Sequence, residues 1–100
     1  LNESYSYHAS KAGVAHLAKR MAMRLIQDHI AVSTINPGAF PTDMNKAARD
    51  EPDDWMEHIP AQRVGQPLDM AAAAVYLASR AGDSVVGTAL TVDGGVSWGF

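Results

Sequence analysis

Cysteine is absent from the 100 residues, so neither a disulfide framework nor a thiolate metal site is available. No apolar run approaches the ~20 residues that a membrane helix requires. Basic clusters are missing as well. Eight Lys and Arg stand against eleven Asp and Glu, and the formal net charge of −3 leaves no electrostatic footprint for nucleic acid. The opening Leu1-Asn2-Glu3-Ser4 is polar and lacks the basic start of a secretory signal. These absences lead us to expect a cytoplasmic protein. What remains, 47% hydrophobic and 19% charged, is the composition of one globular domain at the small end of the range. A first residue that is leucine, with a motif almost at the N-terminus, further suggests a piece of a longer chain.

That motif is Tyr7-His8-Ala9-Ser10-Lys11. The surrounding pattern is helical, so Tyr7 and Lys11 fall on one helical face about one turn apart. A phenol titrates near ~10 in water and is a poor proton donor or acceptor at neutral pH. An ammonium beside it favours the phenolate, and a tyrosine tuned in this way can exchange a proton with an alcohol or carbonyl oxygen. Taken alone, the pair is equally an ordinary solvated helix surface.

The periodicity predicts a helix over about 7–28, with Ser4 or Ser6 as its cap. Val14, Leu17, Ala18, Met21, Ala22 and Leu25 recur at three- and four-residue steps to make an apolar stripe. Ile30-Ala31-Val32-Ser33-Thr34-Ile35 reads as a strand buried on both sides and stopped by Asn36-Pro37-Gly38. From 39 to 65 periodicity is poor, and four of the five prolines fall between Pro37 and Pro60. We expect a substrate lid here, with Met44, Trp55, Met56 and Ile59 as its apolar side; a loop without function is the bland alternative. A second helix starts at Pro67 with Asp69 near its positive end and stops before Gly82. Its alanine run implies close packing on a sheet. Thr88-Ala89-Leu90-Thr91-Val92 makes the second strand, ended by Asp93-Gly94-Gly95. Helix, strand, lid, helix, strand is the order of an α/β domain with a parallel sheet. Two strands cannot close a core over both helices, so this half needs a partner half.

Four motifs now stand in order: Tyr7-x-x-x-Lys11, Asn36-Pro37-Gly38-Ala39-Phe40-Pro41-Thr42, Arg63-Val64-Gly65-Gln66-Pro67, and Gly87-x-x-x-x-Val92-Asp93-Gly94-Gly95. As a set they resemble the C-terminal part of the classical short-chain dehydrogenase/reductase family, and they span almost the whole chain. The resemblance implies the C-terminal part of a Rossmann-like, doubly wound parallel sheet, incomplete without its N-terminal half. It implies NAD or NADP as cofactor and hydride transfer between nicotinamide and a carbonyl or secondary alcohol.

By the same resemblance Tyr7 is the catalytic acid/base, and it is counted with Lys11, Pro37, Gly38, Phe40 and Thr42 among the cofactor-binding residues. Lys11 lowers the tyrosine pKa and bonds the nicotinamide ribose hydroxyls. Pro37 and Gly38 form a turn at the carboxyl end of a strand, where ligands bind in open α/β sheets. Glycine there lets the backbone approach a planar ring. Phe40 offers backbone groups to the carboxamide, and the Thr42 hydroxyl bonds the carboxamide or the pyrophosphate. Arg63, Gly65, Pro67 and Asp93-Gly94-Gly95 are read as structural, the last needing unusual backbone angles. The wording through Met44 is similar to a subgroup described as oxoacyl-carrier-protein reductases, which implies an acyl or otherwise hydrophobic keto substrate.

No metal is expected: His8, His16, His29 and His58 have no carboxylate at ligand spacing and are given surface or supporting roles. A homodimer or homotetramer is expected, since the family associates through such helices. The family's Gly-rich phosphate loop and its catalytic serine, about a dozen residues before the tyrosine, have no place ahead of Tyr7, so the 100 residues alone are expected to be inactive. The rival reading is a non-catalytic family member or truncated remnant, acting as a binding or oligomerisation module.

Overall fold

The computed structural model of the chain describes residues 4–38, 40, 50 and 56–98. Thr42, Met44, Trp55 and most of the expected lid therefore lie outside the described residues.

Helix α1 runs over Tyr5–Leu25 and tightens into a 3-10 turn at Ile26–Asp28. Ser4 occupies the cap position, but its hydroxyl makes no capping bond, and Ser6 lies inside the helix. The first rung is instead the backbone bond from His8 N–H to Ser4 C=O at 3.0 Å. At the other end His29 turns left-handed, with φ 63°, and donates to Ile26 C=O. Arg24 donates to Asp28 at 2.9 Å, an exposed pair one turn apart that contributes little in water.

Strand β1 is Thr34–Pro37, later than the predicted 30–35. The sequence reading followed β-branched content, whereas pairing decides where the strand lies. Strand β2, Ala89–Val92, runs parallel to it, with Thr34 opposite Ala89 and Pro37 opposite Val92. Thr34 N–H donates to Thr88 C=O and Gly38 N–H to Val92 C=O, each at 2.9 Å. Donors directed at β2 thus come from every second residue, and Pro37, which has no N–H, falls on the other phase and costs the ladder nothing.

Between the strands the chain crosses over through helix α2, Pro67–Ala78, which packs on both strands as its alanine run implies. Its start is a reciprocal cap: Gln66 accepts from the Asp69 backbone, and the Asp69 carboxylate accepts from Gln66 N–H at 2.7 Å. Proline at the first position adds a preset φ.

Arg63 closes over this start, donating to both Asp69 oxygens at 2.8 and 3.0 Å. Those bonds, then the Gln66 N–H, hold the Asp69 carboxyl at about 2, below its ordinary 3.8. A carboxyl whose pKa is lower folded than unfolded stabilises the fold above its unfolded value and loses that contribution as pH falls through its folded one. Asp69→Asn in the complete protein should therefore flatten the fall in Tm between roughly pH 4 and pH 2. An acid limb identical to that of the unsubstituted protein would show that the clasp adds nothing.

The core is small. Among the described residues Ala22, Ile59 and Val64 are the buried hydrophobics, with Val96 packed against the last two. Ile59 and Val64 both belong to the stretch expected as lid, so its described end is a packing element. Much of the predicted α1 stripe stands open: Val14 is 60% exposed, Leu17 56% and Met21 43%. Among the described residues the sheet has two strands and does not cover this stripe, in line with the expectation of a partner half.

Candidate active site

On α1 the structure brings Tyr7 and Lys11 together. The Lys11 Nζ lies 5.6 Å from the centre of the Tyr7 ring. An ammonium at this range is attracted to an aromatic ring by about 0.5–1 kcal/mol at an exposed site. The His8 ring meets Tyr7 edge-on at 5.7 Å, with 73° between planes. Tyr7 is 50% exposed. One helical turn sets this geometry, and nothing distant is needed to assemble it.

A second group stands at the carboxyl end of β1. Pro37 ends the strand, and exposed Gly38 presents bare backbone beyond it. Gly38 also lies tight against β2: a Cβ there would sit 2.6 Å from the Asp93 Cβ and 2.7 Å from its Cα. Half-buried Phe40 follows, its ring lining a cavity of about 90 Å³ with Ile59, Arg63, Val64, Gly65 and Asp93. This cavity is too small for a dinucleotide and is a packing gap behind the turn. A second hollow, of about 180 Å³, lies between α1 and the sheet beside Ala15, Ala18, Lys19, Val32, Asn36 and Thr88. Neither cavity is lined by Tyr7 or Lys11. The tyrosine–lysine pair and the Pro37–Gly38 turn are thus two separate groups in the described structure, and Thr42 lies outside it.

The sequence reading missed the work of the Asp93 carboxylate. It accepts from Gly95 N–H at 2.9 Å, from Ser97 N–H at 3.0 Å and from the Ser97 hydroxyl at 2.6 Å. These bonds hold its carboxyl below the usual carboxylate range, the Ser97 hydroxyl first among them. An Asp four residues before a Ser, across two glycines, was the available signal. The unusual angles expected at Asp93-Gly94-Gly95 are present, with φ of 65° at Gly94 and 96° at Gly95.

The chain as a whole has counterparts among known proteins. The family described as enoyl-(acyl carrier protein) reductase matches residues 1–97. The 3-oxoacyl-[acyl-carrier-protein] reductase FabG of Chlamydia trachomatis is 37% identical over 93 residues, covering 92% of this chain and 38% of that protein. The 7alpha-hydroxysteroid dehydrogenase of Escherichia coli is 42% identical over 92 residues, covering 90% and 36%. In three dimensions the chain superposes on the Pseudomonas aeruginosa RhlG/NADP active-site complex with a TM-score of 0.84 at 35% identity, covering 96% of this chain and 40% of that one. The chain therefore spans under two fifths of the length of these curated relatives.

Proposed function

The chain belongs to the short-chain dehydrogenase/reductase family, and from that premise we propose that it supplies the proton-handling and nicotinamide-facing side of an NAD(P)-dependent oxidoreductase. The observation that carries the reading is the pairing of a half-exposed Tyr7 with the Lys11 ammonium, 5.6 Å from its ring centre, on one face of α1. The bound nicotinamide supplies or accepts the hydride at its C4.

Tyr7 handles the other half of the exchange. In the reducing direction a hydride adds to the carbonyl carbon, the C=O π pair moves to oxygen, and that oxygen takes the proton from Tyr7 Oη to give a secondary alcohol. Oxidation runs the same steps backwards. Lys11, one turn along, bonds the nicotinamide ribose hydroxyls and offers positive charge as the tyrosine proton leaves. The end of β1 fits the planar ring, since Gly38 is exposed and carries no side chain between its backbone and a ligand. Phe40 backbone groups would hold the carboxamide, and the Thr42 hydroxyl would bond the carboxamide or pyrophosphate.

The substrate we propose is a ketone or secondary alcohol with an apolar body, of acyl type. Relatives named for 3-oxoacyl groups and for a hydroxysteroid favour an apolar substrate, as do Met44, Trp55 and Met56 in the expected lid. Family membership favours a homodimer or homotetramer.

The test is turnover by the complete protein with NADH and NADPH on long and short β-keto thioesters and on a simple sugar. Faster reduction of the long thioester is expected. Equal rates on thioesters and sugar would remove the acyl assignment. Dinucleotide binding with no turnover on any carbonyl would favour the non-catalytic member.

A further inference from the structure

The Phe40 ring occupies the space that a side chain at position 65 would need. A Cβ on Gly65 would lie 2.5 Å from the ring's Cδ1 and nearer still to Cζ and Cε1, inside the 3.0 Å that such contacts respect. Something would have to move, and residue 65 is held on both sides. Before it, Val64 is buried against Ile59. After it, Gln66 N–H is bonded to Asp69 at 2.7 Å, Pro67 fixes the first helical φ, and Arg63 clasps the same carboxylate.

On the other side, Gly38 is held by its bond to Val92 C=O and by its close approach to Asp93. An added methyl would therefore displace the Phe40 ring from its seat. We propose that Gly65 is a positioning residue: its bare Cα seats the Phe40 ring, and the seated ring holds the turn at Gly38 and Phe40 where it meets the nicotinamide. The inference rests on that turn being the nicotinamide contact.

The complete protein carries the test, by calorimetric titration with NADPH or NADH, whichever binds, and with the matching ADP-ribose, which lacks the nicotinamide. Gly65→Ala should weaken dinucleotide binding about 10-fold, about 1.4 kcal/mol, and leave ADP-ribose binding within about 2-fold. Phe40→Ala should produce the same selective loss, and Gly65→Ala should add nothing further in the Phe40→Ala background. If Gly65→Ala alone does not fold, the Phe40→Ala single and the double variant decide the matter by the same two ligands.

Equal weakening of both ligands would make Gly65 a purely structural residue and overturn the proposal. So would full dinucleotide affinity in Gly65→Ala, or additive losses in the double variant. Failure of the unsubstituted protein to bind either dinucleotide would sink the nicotinamide assignment itself, a result separable from all of these.

Discussion

Replacing Tyr7 by Phe in the complete protein is expected to lower kcat by about 10³-fold, within the range a positioned acid or base contributes. The change deletes one oxygen and leaves the ring, so the contacts with His8 and the Lys11 ammonium persist. Dinucleotide affinity should stay within about 2-fold, because Lys11 and the turn at Gly38, the other proposed cofactor contacts, are left in place. Tyr7 is half exposed at the first turns of a long helix, so the fold should not notice. The loss should also be independent of substrate length, since it acts at the reacting oxygen alone. A kcat equal to that of the unsubstituted protein would remove Tyr7 from its role and favour a binding or oligomerisation module.

Lys11→Met is expected to act on both binding and rate. The methionine keeps most of the aliphatic stem but loses the three N–H donors and the charge. With the ribose contact gone, the dinucleotide Kd should rise. With no ammonium beside the departing tyrosine proton, kcat should fall as well. Together kcat/KM should drop by about 10²-fold, the scale for losing one preorganised electrostatic donor. The split distinguishes the two residues: Tyr7→Phe changes kcat alone, whereas Lys11→Met changes kcat and cofactor Kd together. Steady-state kinetics beside fluorescence titration of the reduced dinucleotide reads both. A Lys11→Met variant altered only in solubility would make Lys11 a surface charge.

These two side chains were legible because their relation is local. A four-residue interval in a helix puts them on one face whatever the rest of the molecule does, and the 5.6 Å approach is its direct product. The start of α2 was legible for the same reason, with Pro67 and Asp69 acting within one turn. So were the positive φ values at Gly94 and Gly95, which the residue type itself announces. Strand β1 was placed too early because β-branched content is a weaker guide than a partner. Val32 and Ser33 satisfy the composition, yet the strand begins at Thr34, where Ala89 stands opposite.

The sequence by itself determined the α/β order, the parallel sense of the two strands, the placing of Tyr7 and Lys11 on one helical face and the turn of Pro37 and Gly38, because each follows from short-range periodicity or from the backbone limits of one residue. Only the tertiary structure decided that Ile59 and Val64 form core at the end of the expected lid, that Arg63 clasps Asp69, that Asp93 lies against Gly38, and that Phe40 rests on Gly65. Phe40 and Gly65 are far apart along the chain, and the space between a ring and a missing side chain has no periodicity to announce it. Such a contact exists only once the chain has closed on itself, when close packing makes the absence of one methyl group a requirement.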